Sequence, residues 1–451
     1  MKTVKDVVLR GEKLDHDRFL DELRDKNSEL GFMREVSREE NDGELQGVPF
    51  VVKDAICTED VTTSAGSEIL EDYRPVFDAT VVSRLKDAGA TFYGKTQQDE
   101  FGFGTFSTNC AFGTPKNPHD PERVVGGSSG GAGAIVAAMD QPLISIGEST
   151  GGSITNPAAY NGVVGLTPTY GRVSRYGLVD YANSLDKIGV LTSEVWGAAK
   201  ALEVIAGEDP RDQTTSSRKV PEYSDLEKVE PRIGVPKQYL ELEGLQDGVR
   251  ENFEASLEEL EEKGATVEEV DLPLLSADYS VPAYYVLAMA ETSTNLAKMS
   301  GMRYGLETDP EQKEYNDYFS EVRTEGFGEE AKRRILLGTY TRMAGYRDQY
   351  YLKAAKVRQR IIESFRSAFG EYDVLVSPSM PNIAPRIEDA ESMKPTEVYA
   401  MDTLTVGPNL AGMPTISVPN GESNGMPTGL QIIGDQFEEQ KILNTAYTYM
   451  D

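Results

Sequence analysis

The 451-residue chain contains only two histidines, His16 and His119. His16 lies in a charged segment, KLDHDRF, and His119 lies in a loop bounded by prolines, KNPHDPER, so both are expected at the surface. A Ser-His-Asp triad or a histidine-based metal site therefore has almost nothing from which it could be built. If the chain is a hydrolase, a residue other than histidine must act as its base.

Cysteine and long apolar segments are equally scarce. Cys57 and Cys110 are the only cysteines and form no CxxC pair, which argues against a disulfide framework and a cysteine zinc site. The sequence has no N-terminal hydrophobic signal region and no apolar run of about 18 residues. These absences predict a soluble, cytoplasmic protein that does not enter a membrane.

Basic residues are outnumbered by acidic ones. The chain has 45 lysines and arginines against 75 aspartates and glutamates, for a formal net charge of −30. This balance argues against direct binding of nucleic acid or of an anionic membrane by this chain. Because the acidic residues are spread along the whole sequence, we interpret them as a solvated surface suited to a high-salt, halophilic cytoplasm.

Strand and helix patterns alternate over much of the sequence, which predicts an α/β fold with a large mixed β-sheet covered by helices on both faces. No change in composition is sharp enough to divide residues 1–451, so we expect a single domain. Its expected parts are N-terminal helices (1–45), a catalytic core (47–205), a helical layer or cap (284–369) and the C-terminal part of the core (374–451).

Two glycine-serine turns stand close together, GGSSGG at 126–131 and GGS at 151–153. A single such run is usually a flexible linker. Here the first run leads directly into a helical segment, AGAIVAAM, which a linker has no need to do. Two turns that expose backbone N–H groups around serine hydroxyls instead favour a catalytic site.

A third segment, GVPFVVKDAI, is typical of a buried strand and ends its apolar run in Lys53. Taken alone, such a lysine marks the point where a strand leaves the core for solvent. Taken with Ser128 and Ser153, it can be a base, since burial can depress the pKa of a lysine until the neutral amine is present. One serine can relay a proton to that amine, another can be the nucleophile, and the run ESTGGS supplies backbone N–H groups for an oxyanion hole.

These segments resemble the amidase signature family, whose mark is a Ser-Ser-Lys triad. The resemblance also covers GKTQQDEFGFGT, STGGSITNPAAYNGVVGLTPTYGRVSRYGL and PNLAGMPTISVP, and extends from Gly47 to the C-terminus. It implies that Lys53 is the base, Ser128 the bridging serine after a cis peptide bond, and Ser153 the nucleophile. Ser129 is the second candidate for the bridging serine. The implied oxyanion hole is the backbone of Thr150, Gly151 and Gly152.

Within the family, PTYGRVSRYGLVDYANSLDKIGVLT, AKRRILLGTY and YAMDTLTVGPNLAG most resemble the glutamine-hydrolysing A subunits of tRNA-dependent amidotransferases. The resemblance implies that Arg334 pairs with the α-carboxylate of glutamine and Asp402 with its α-amino group. An arginine fork suits a carboxylate, and a carboxylate suits an ammonium group. The neighbouring Arg333 is the alternative to Arg334.

The same resemblance implies partners and cofactors. The chain would release ammonia from glutamine to partner subunits B and C of a heterotrimer, and the partner would bind misacylated tRNA and use ATP and magnesium. No cofactor and no metal is expected in this chain. Whether glutamyl-tRNA or aspartyl-tRNA is amidated would be decided by the partner and the tRNA.

Two positions depart from the family pattern. The family usually has aspartate where this chain has Ser149 and arginine where it has Thr155. We hypothesise that these charges normally pair, so that losing both leaves no buried charge unpaired. Two other functions stay open, a stand-alone amidase acting on a small carboxamide and, supported only by these two departures, a catalytically silent structural subunit.

Overall fold

The computed structural model describes residues 2–311 and 313–451. Its centre is one mixed sheet of 11 strands in the order β1-β3-β2-β4-β6-β5-β10-β11-β9-β7-β8. Strand β2 pairs in parallel with both β3 and β4, whereas β4, β6, β5, β10, β11 and β9 pair successively antiparallel. The strands are β1 (Met33–Glu39), β2 (Pro49–Lys53), β3 (Thr91–Thr96), β4 (Ile144–Ser149), β5 (Val164–Thr167), β6 (Lys187–Thr192), β7 (Arg232–Pro236), β8 (Thr266–Val270), β9 (Val374–Pro378), β10 (Thr415–Ser423) and β11 (Met426–Ile433).

Helices cover both faces of this sheet. Because successive side chains of a strand point to opposite faces, Phe50 and Val52 of β2 join one hydrophobic core while Val51 joins another. The α-helices are α1 (Val4–Arg10), α2 (His16–Leu30), α3 (Thr80–Asp87), α4 (Gly130–Ala138), α5 (Thr155–Asn161), α6 (Val195–Ile205), α7 (Lys237–Leu240), α8 (Asp247–Glu262), α9 (Ala277–Asn295), α10 (Tyr315–Gly326), α11 (Glu329–Arg342), α12 (Tyr351–Ala368), α13 (Ile387–Ser392), α14 (Pro395–Ala400), α15 (Thr403–Leu410) and α16 (Glu439–Met450). The α/β class and the mixed, doubly covered sheet predicted from the sequence are confirmed.

The expected helical layer is formed by α9 to α12. Helix α9 packs against α11, α12 and α15, and their apolar side chains form a core of their own with residues such as Leu287, Ile361 and Leu404. In the part of the chain that the structure describes, no helix is both long enough and apolar enough to cross a membrane. The core of this layer includes Leu375 and Ile433 of the sheet, so the layer packs on the sheet, and it closes one side of the site described below.

Residues 33–36 were expected to be helical, and this expectation is wrong. Helix α2 ends at Leu30 because Gly31 takes a left-handed conformation, with φ 66°. The chain then forms β1, which pairs antiparallel with β3 at the edge of the sheet. Since an edge strand is only partly buried, its alternation of apolar and polar residues is too weak to indicate a strand.

Strand β6, which the sequence did not reveal, lies in the middle of the sheet between β4 and β5. All of its residues are buried, including Lys187, which opens the strand. The lysine at the start of KIGVLT argues against a core strand in the sequence, because lysines are rarely fully buried.

Candidate active site

Lys53, the last residue of β2, is completely buried. Its Nζ donates to Ser128 Oγ at 2.7 Å, to Glu148 Oε2 at 2.9 Å and to the Glu148 carbonyl at 3.2 Å. Burial is possible because β2 lies between β3 and β4, so the end of the strand stays under the loops that follow its neighbours. Lys53 thus does not mark an exit to solvent, the interpretation favoured for a lone lysine.

Ser128 lies in the glycine-serine turn that precedes α4, and the Gly127–Ser128 peptide bond is cis. Its hydroxyl accepts the hydrogen bond from Lys53. The hydroxyl of the adjacent Ser129 does not bond to Lys53; it donates to the Glu148 carbonyl at 2.9 Å. The geometry therefore favours Ser128 over Ser129 as the serine that exchanges a proton with the lysine.

Ser153 stands in the second glycine turn, between β4 and α5. The Ser129 N–H donates to the Ser153 carbonyl at 3.3 Å, so the two turns are tied together. Ser153 lines a small cavity together with Gly127, Gly151 and Gly152. Gly152 has a φ of 154°, and a Cβ there would lie 2.3 Å from Thr405 Oγ1, so this part of the wall admits only glycine.

The three residues of the candidate oxyanion hole differ in their position relative to the cavity. Gly151 and Gly152 line the cavity, where their bare backbone can approach a substrate. Thr150 is fully buried, and its hydroxyl lies 2.7 Å from Glu148 Oε1 and 2.9 Å from Asp186 Oδ1. Its side chain therefore belongs to the network behind Lys53.

Arg334, on α11, lines the same cavity and is only 3% exposed. Its Nε donates to Glu330 Oε1 at 2.8 Å, and a second guanidinium nitrogen contacts the Tyr181 hydroxyl. The guanidinium carbon lies 5.1–5.5 Å from the ring centroids of four aromatic residues, an arrangement that stabilises a buried cation. They are Phe103, Tyr181, Tyr285 and Tyr399.

Arg333 does not line this cavity. Its side chain is 40% exposed, and it pairs with Glu330 from the outer side of α11. Of the two arginines considered from the sequence, the geometry therefore favours Arg334 as a substrate contact.

Asp402 lies directly before α15 and also lines the cavity. Its carboxylate accepts hydrogen bonds from Tyr285 Oη at 2.7 Å, Thr105 Oγ1 at 3.2 Å and Asn156 Nδ2 at 3.4 Å. Burial raises the pKa of Asp402 to about 6, and no cation of the described residues forms an ion pair with its carboxylate. A ligand that brings an ammonium group would satisfy this carboxylate.

The cavity itself is nearly closed. It encloses about 10 Å³, room for about one water molecule. Tyr284 and Tyr285 of α9 form part of its wall. A substrate of amino-acid size does not fit this volume, so part of the cavity wall must shift to admit one.

Glu148 and Asp186 are buried site residues that sequence reasoning missed. The position of Glu148 beside Lys53 could have been predicted, because β2 and β4 are parallel and Val52 is in register with Ile146. Charged residues that end two adjacent parallel strands meet at one edge of a sheet. Asp186 gave no such signal, since β6 was not recognised.

The two departures from the family pattern are also buried. The hydroxyls of Ser149 and Thr155 have no hydrogen-bond partner among residues 2–311 and 313–451. The same described residues contain no group of three or more His, Cys, Asp or Glu side chains arranged to hold a metal ion.

A family model described as Amidase matches residues 16–443. The chain belongs to the amidase signature family. It is 50% identical to the A subunit of the glutamyl-tRNA(Gln) amidotransferase of Natronomonas pharaonis over 412 residues, which cover 90% of this chain and 96% of that one. The corresponding protein of Archaeoglobus fulgidus is 46% identical, over 93% of this chain and 89% of its own length.

A crystal structure of the same kind of protein, from Thermotoga maritima, superposes on the chain with a TM-score of 0.82 at 38% identity. It covers 99% of this chain and 94% of its own. The family predicted from the sequence is therefore confirmed. Since all these amidase relatives match along nearly their full length, the family fold accounts for the sheet, the glycine turns and the helical layer together.

Proposed function

We propose that this chain is the glutamine-hydrolysing subunit of a tRNA-dependent amidotransferase. The observation that carries the proposal is a single cavity lined by Ser153, Arg334 and Asp402. A nucleophile, a buried cation and a buried carboxylate in one cavity match the side-chain amide, the α-carboxylate and the α-ammonium group of glutamine. The relatives named as A subunits of glutamyl-tRNA(Gln) amidotransferases support it.

The proposed chemistry starts from the contact of Lys53 with Ser128 at 2.7 Å. Neutral Lys53 takes a proton from Ser128 as Ser128 takes the proton of Ser153, whose Oγ then attacks the amide carbon. The N–H groups of the glycine turn stabilise the negative oxygen. The proton returns through Ser128 to the departing nitrogen, so ammonia leaves and a glutamyl ester remains on Ser153. Water, deprotonated by the same route, cleaves the ester and restores the serine.

A stand-alone amidase that acts on a small carboxamide is the second candidate. Such a substrate needs neither Arg334 nor Asp402, yet both lie buried in the cavity wall. Burying a charged group costs free energy unless it is paired, and Asp402, unlike Arg334 with its partner Glu330, has no ion pair among the described residues. Their presence favours a substrate that carries both charges of an amino acid.

We further propose that the chain works in the cytoplasm as one member of a heterotrimer with subunits B and C. The ammonia would pass to the partner that binds misacylated tRNA and uses ATP and magnesium, and this chain would hold neither. The net charge of −30 supports a role in which another subunit carries the RNA. The same charge supports a halophilic protein that needs high salt to screen its own repulsion.

The test is ammonia release from glutamine in high-salt buffer, by the chain alone and by the chain purified with its partner subunits. We expect strong activity only in the complex, and its loss in Ser153→Ala. Arg334→Gln should raise KM for glutamine strongly, whereas the matched control Arg333→Gln should not. Turnover of simple amides by the chain alone, without glutamine hydrolysis in either state, would instead establish a stand-alone amidase.

A further inference from the structure

We propose that Glu148 is the counter-ion of Lys53, a positioning residue whose negative charge governs the pH dependence of the reaction. The inference rests on the proposed function, because it assigns a positioning residue to the same reaction. Glu148 is the penultimate residue of β4, beside the end of β2, and its carboxylate lies 2.9 Å from Lys53 Nζ. The side chains are 0% and 4% exposed, so water does not screen the pair.

The hydrogen bonds around Lys53 fit an ammonium group. An ammonium has three hydrogens, and Nζ has three acceptors, namely Ser128 Oγ, Glu148 Oε2 and the Glu148 carbonyl. A neutral amine has two hydrogens and a lone pair. To receive the proton of Ser128 it must point the lone pair at Ser128 Oγ and donate both hydrogens to Glu148.

An ammonium group that is to act as a base must first lose one proton. That loss removes the positive charge that offsets the buried carboxylate of Glu148. Two opposite unit charges this close attract strongly, because the buried site does not screen them. Glu148 thus holds Lys53 in position, and its charge favours the ammonium form over the amine.

The neighbouring charged groups leave Glu148 as the anion that contacts Lys53. The hydroxyl of Thr150 lies between Glu148 and Asp186 and can donate its single hydrogen to only one of them. Burial, and next the charge of Glu148, raise the pKa of Asp186 well above its ordinary value. The carboxylate of Asp186 accepts the backbone N–H groups of Tyr181 and Ala182 at 2.9 Å and makes no ion pair with Lys53.

Two further charged groups act from a greater distance. Asp99 accepts hydrogen bonds from the backbone N–H groups of Ser107 and Asn109, at 3.0 and 2.9 Å, and burial raises its pKa to about 6. Arg334 faces the substrate cavity and is paired with Glu330. Neither substitutes for the direct contact of Glu148 with Lys53.

The test is the pH dependence of kcat at saturating glutamine in the assembled complex, for the wild type and Glu148→Gln. Glutamine amide nearly matches the carboxylate in shape but lacks its charge. We expect the acid limb of kcat to move to lower pH by at least about one unit, because the ammonium form of Lys53 loses its counter-ion. Since kcat reports the substrate-bound enzyme, the titration of free Asp402 does not enter the measurement.

Asp186→Asn is the matched control, because it removes a neighbouring carboxylate that makes no ion pair with Lys53, and its acid limb should stay close to the wild-type limb. Glu148→Asp retains the charge and should keep the limb within a few tenths of a unit of the wild type, which also shows that position 148 tolerates change. An unmoved limb in Glu148→Gln, or an equal shift in Asp186→Asn, would overturn the inference. Absence of glutamine hydrolysis by the wild-type complex would instead overturn the proposed function.

Discussion

The Asp402 carboxylate offers the sharpest test of substrate choice. In Asp402→Asn, the side chain keeps nearly its shape and an oxygen that can accept from Tyr285 and Thr105, but it loses its negative charge. The substrate's ammonium group then meets a neutral amide in a site from which water is excluded. Removing one partner of a buried, hydrogen-bonded charge pair costs about 2–4 kcal/mol, so kcat/KM for glutamine should fall about 30- to 1000-fold.

The pH dependence gives a second, independent readout. Because burial raises the pKa of Asp402 to about 6, the free enzyme loses the carboxylate as pH falls below that value. Wild-type kcat/KM for glutamine should therefore fall up to about tenfold per unit below pH 6, and the part of this fall due to Asp402 should be absent in Asp402→Asn. Activity falls on the acid side of the pH profile because the ammonium group of glutamine needs the ionised form of Asp402.

The assay compares glutamine with a simple carboxamide that has no α-amino group, measured as ammonia release between about pH 5 and 8. Asp402→Asn should impair glutamine hydrolysis and leave any hydrolysis of the simple amide within about twofold of the wild type. Equal losses for both substrates would refute the reasoning, since they would show that Asp402 supports the fold of the site and does not recognise the ammonium group.

Three further predictions concern the surroundings of the site. In Gly151→Ala the new Cβ would lie 2.5 Å from the ring of Tyr284, so kcat/KM should fall by up to about 100-fold with a measurable loss of thermal stability; unchanged kinetics would show that the close approach is not needed. Burial lowers the pKa of Lys187 from 10.5 to about 7. Between pH 10.5 and pH 7 the unfolded chain protonates Lys187 and the folded chain does not, so the stability of the fold decreases as pH falls. Lys187→Met should therefore raise the melting temperature more at pH 7 than at pH 10. Ser149→Asp should destabilise the protein more than Ser149→Asp combined with Thr155→Arg, and a thermal double-mutant cycle without coupling of about 1 kcal/mol would contradict the postulated pairing.

Much of the candidate site could be predicted from short segments of the sequence. The two glycine-serine turns and the strand ending in Lys53 are short segments whose conformation depends mostly on their own residues, and the structure brings Lys53 and Ser128 to 2.7 Å. Their catalytic roles remain predictions. The fold class followed from alternating strand and helix patterns, whereas β1 and β6 were missed because an edge position and an initial lysine weaken the pattern of a core strand.

The substrate pocket could not be derived from the residues alone, because its parts come from distant segments. Asp402 and Thr105 bond across 297 positions, and Arg334 reaches the cavity only because α11 packs on α9. An arginine on a helix is ordinarily exposed, so only tertiary packing distinguishes Arg334 from Arg333. Ser153 and its glycine turn belong to the sheet, whereas Arg334 and the tyrosines that close the cavity belong to the helical layer. The candidate nucleophile and the candidate contacts of the substrate thus come from different layers, so the geometry of the site depends on how the helical layer packs against the glycine turns.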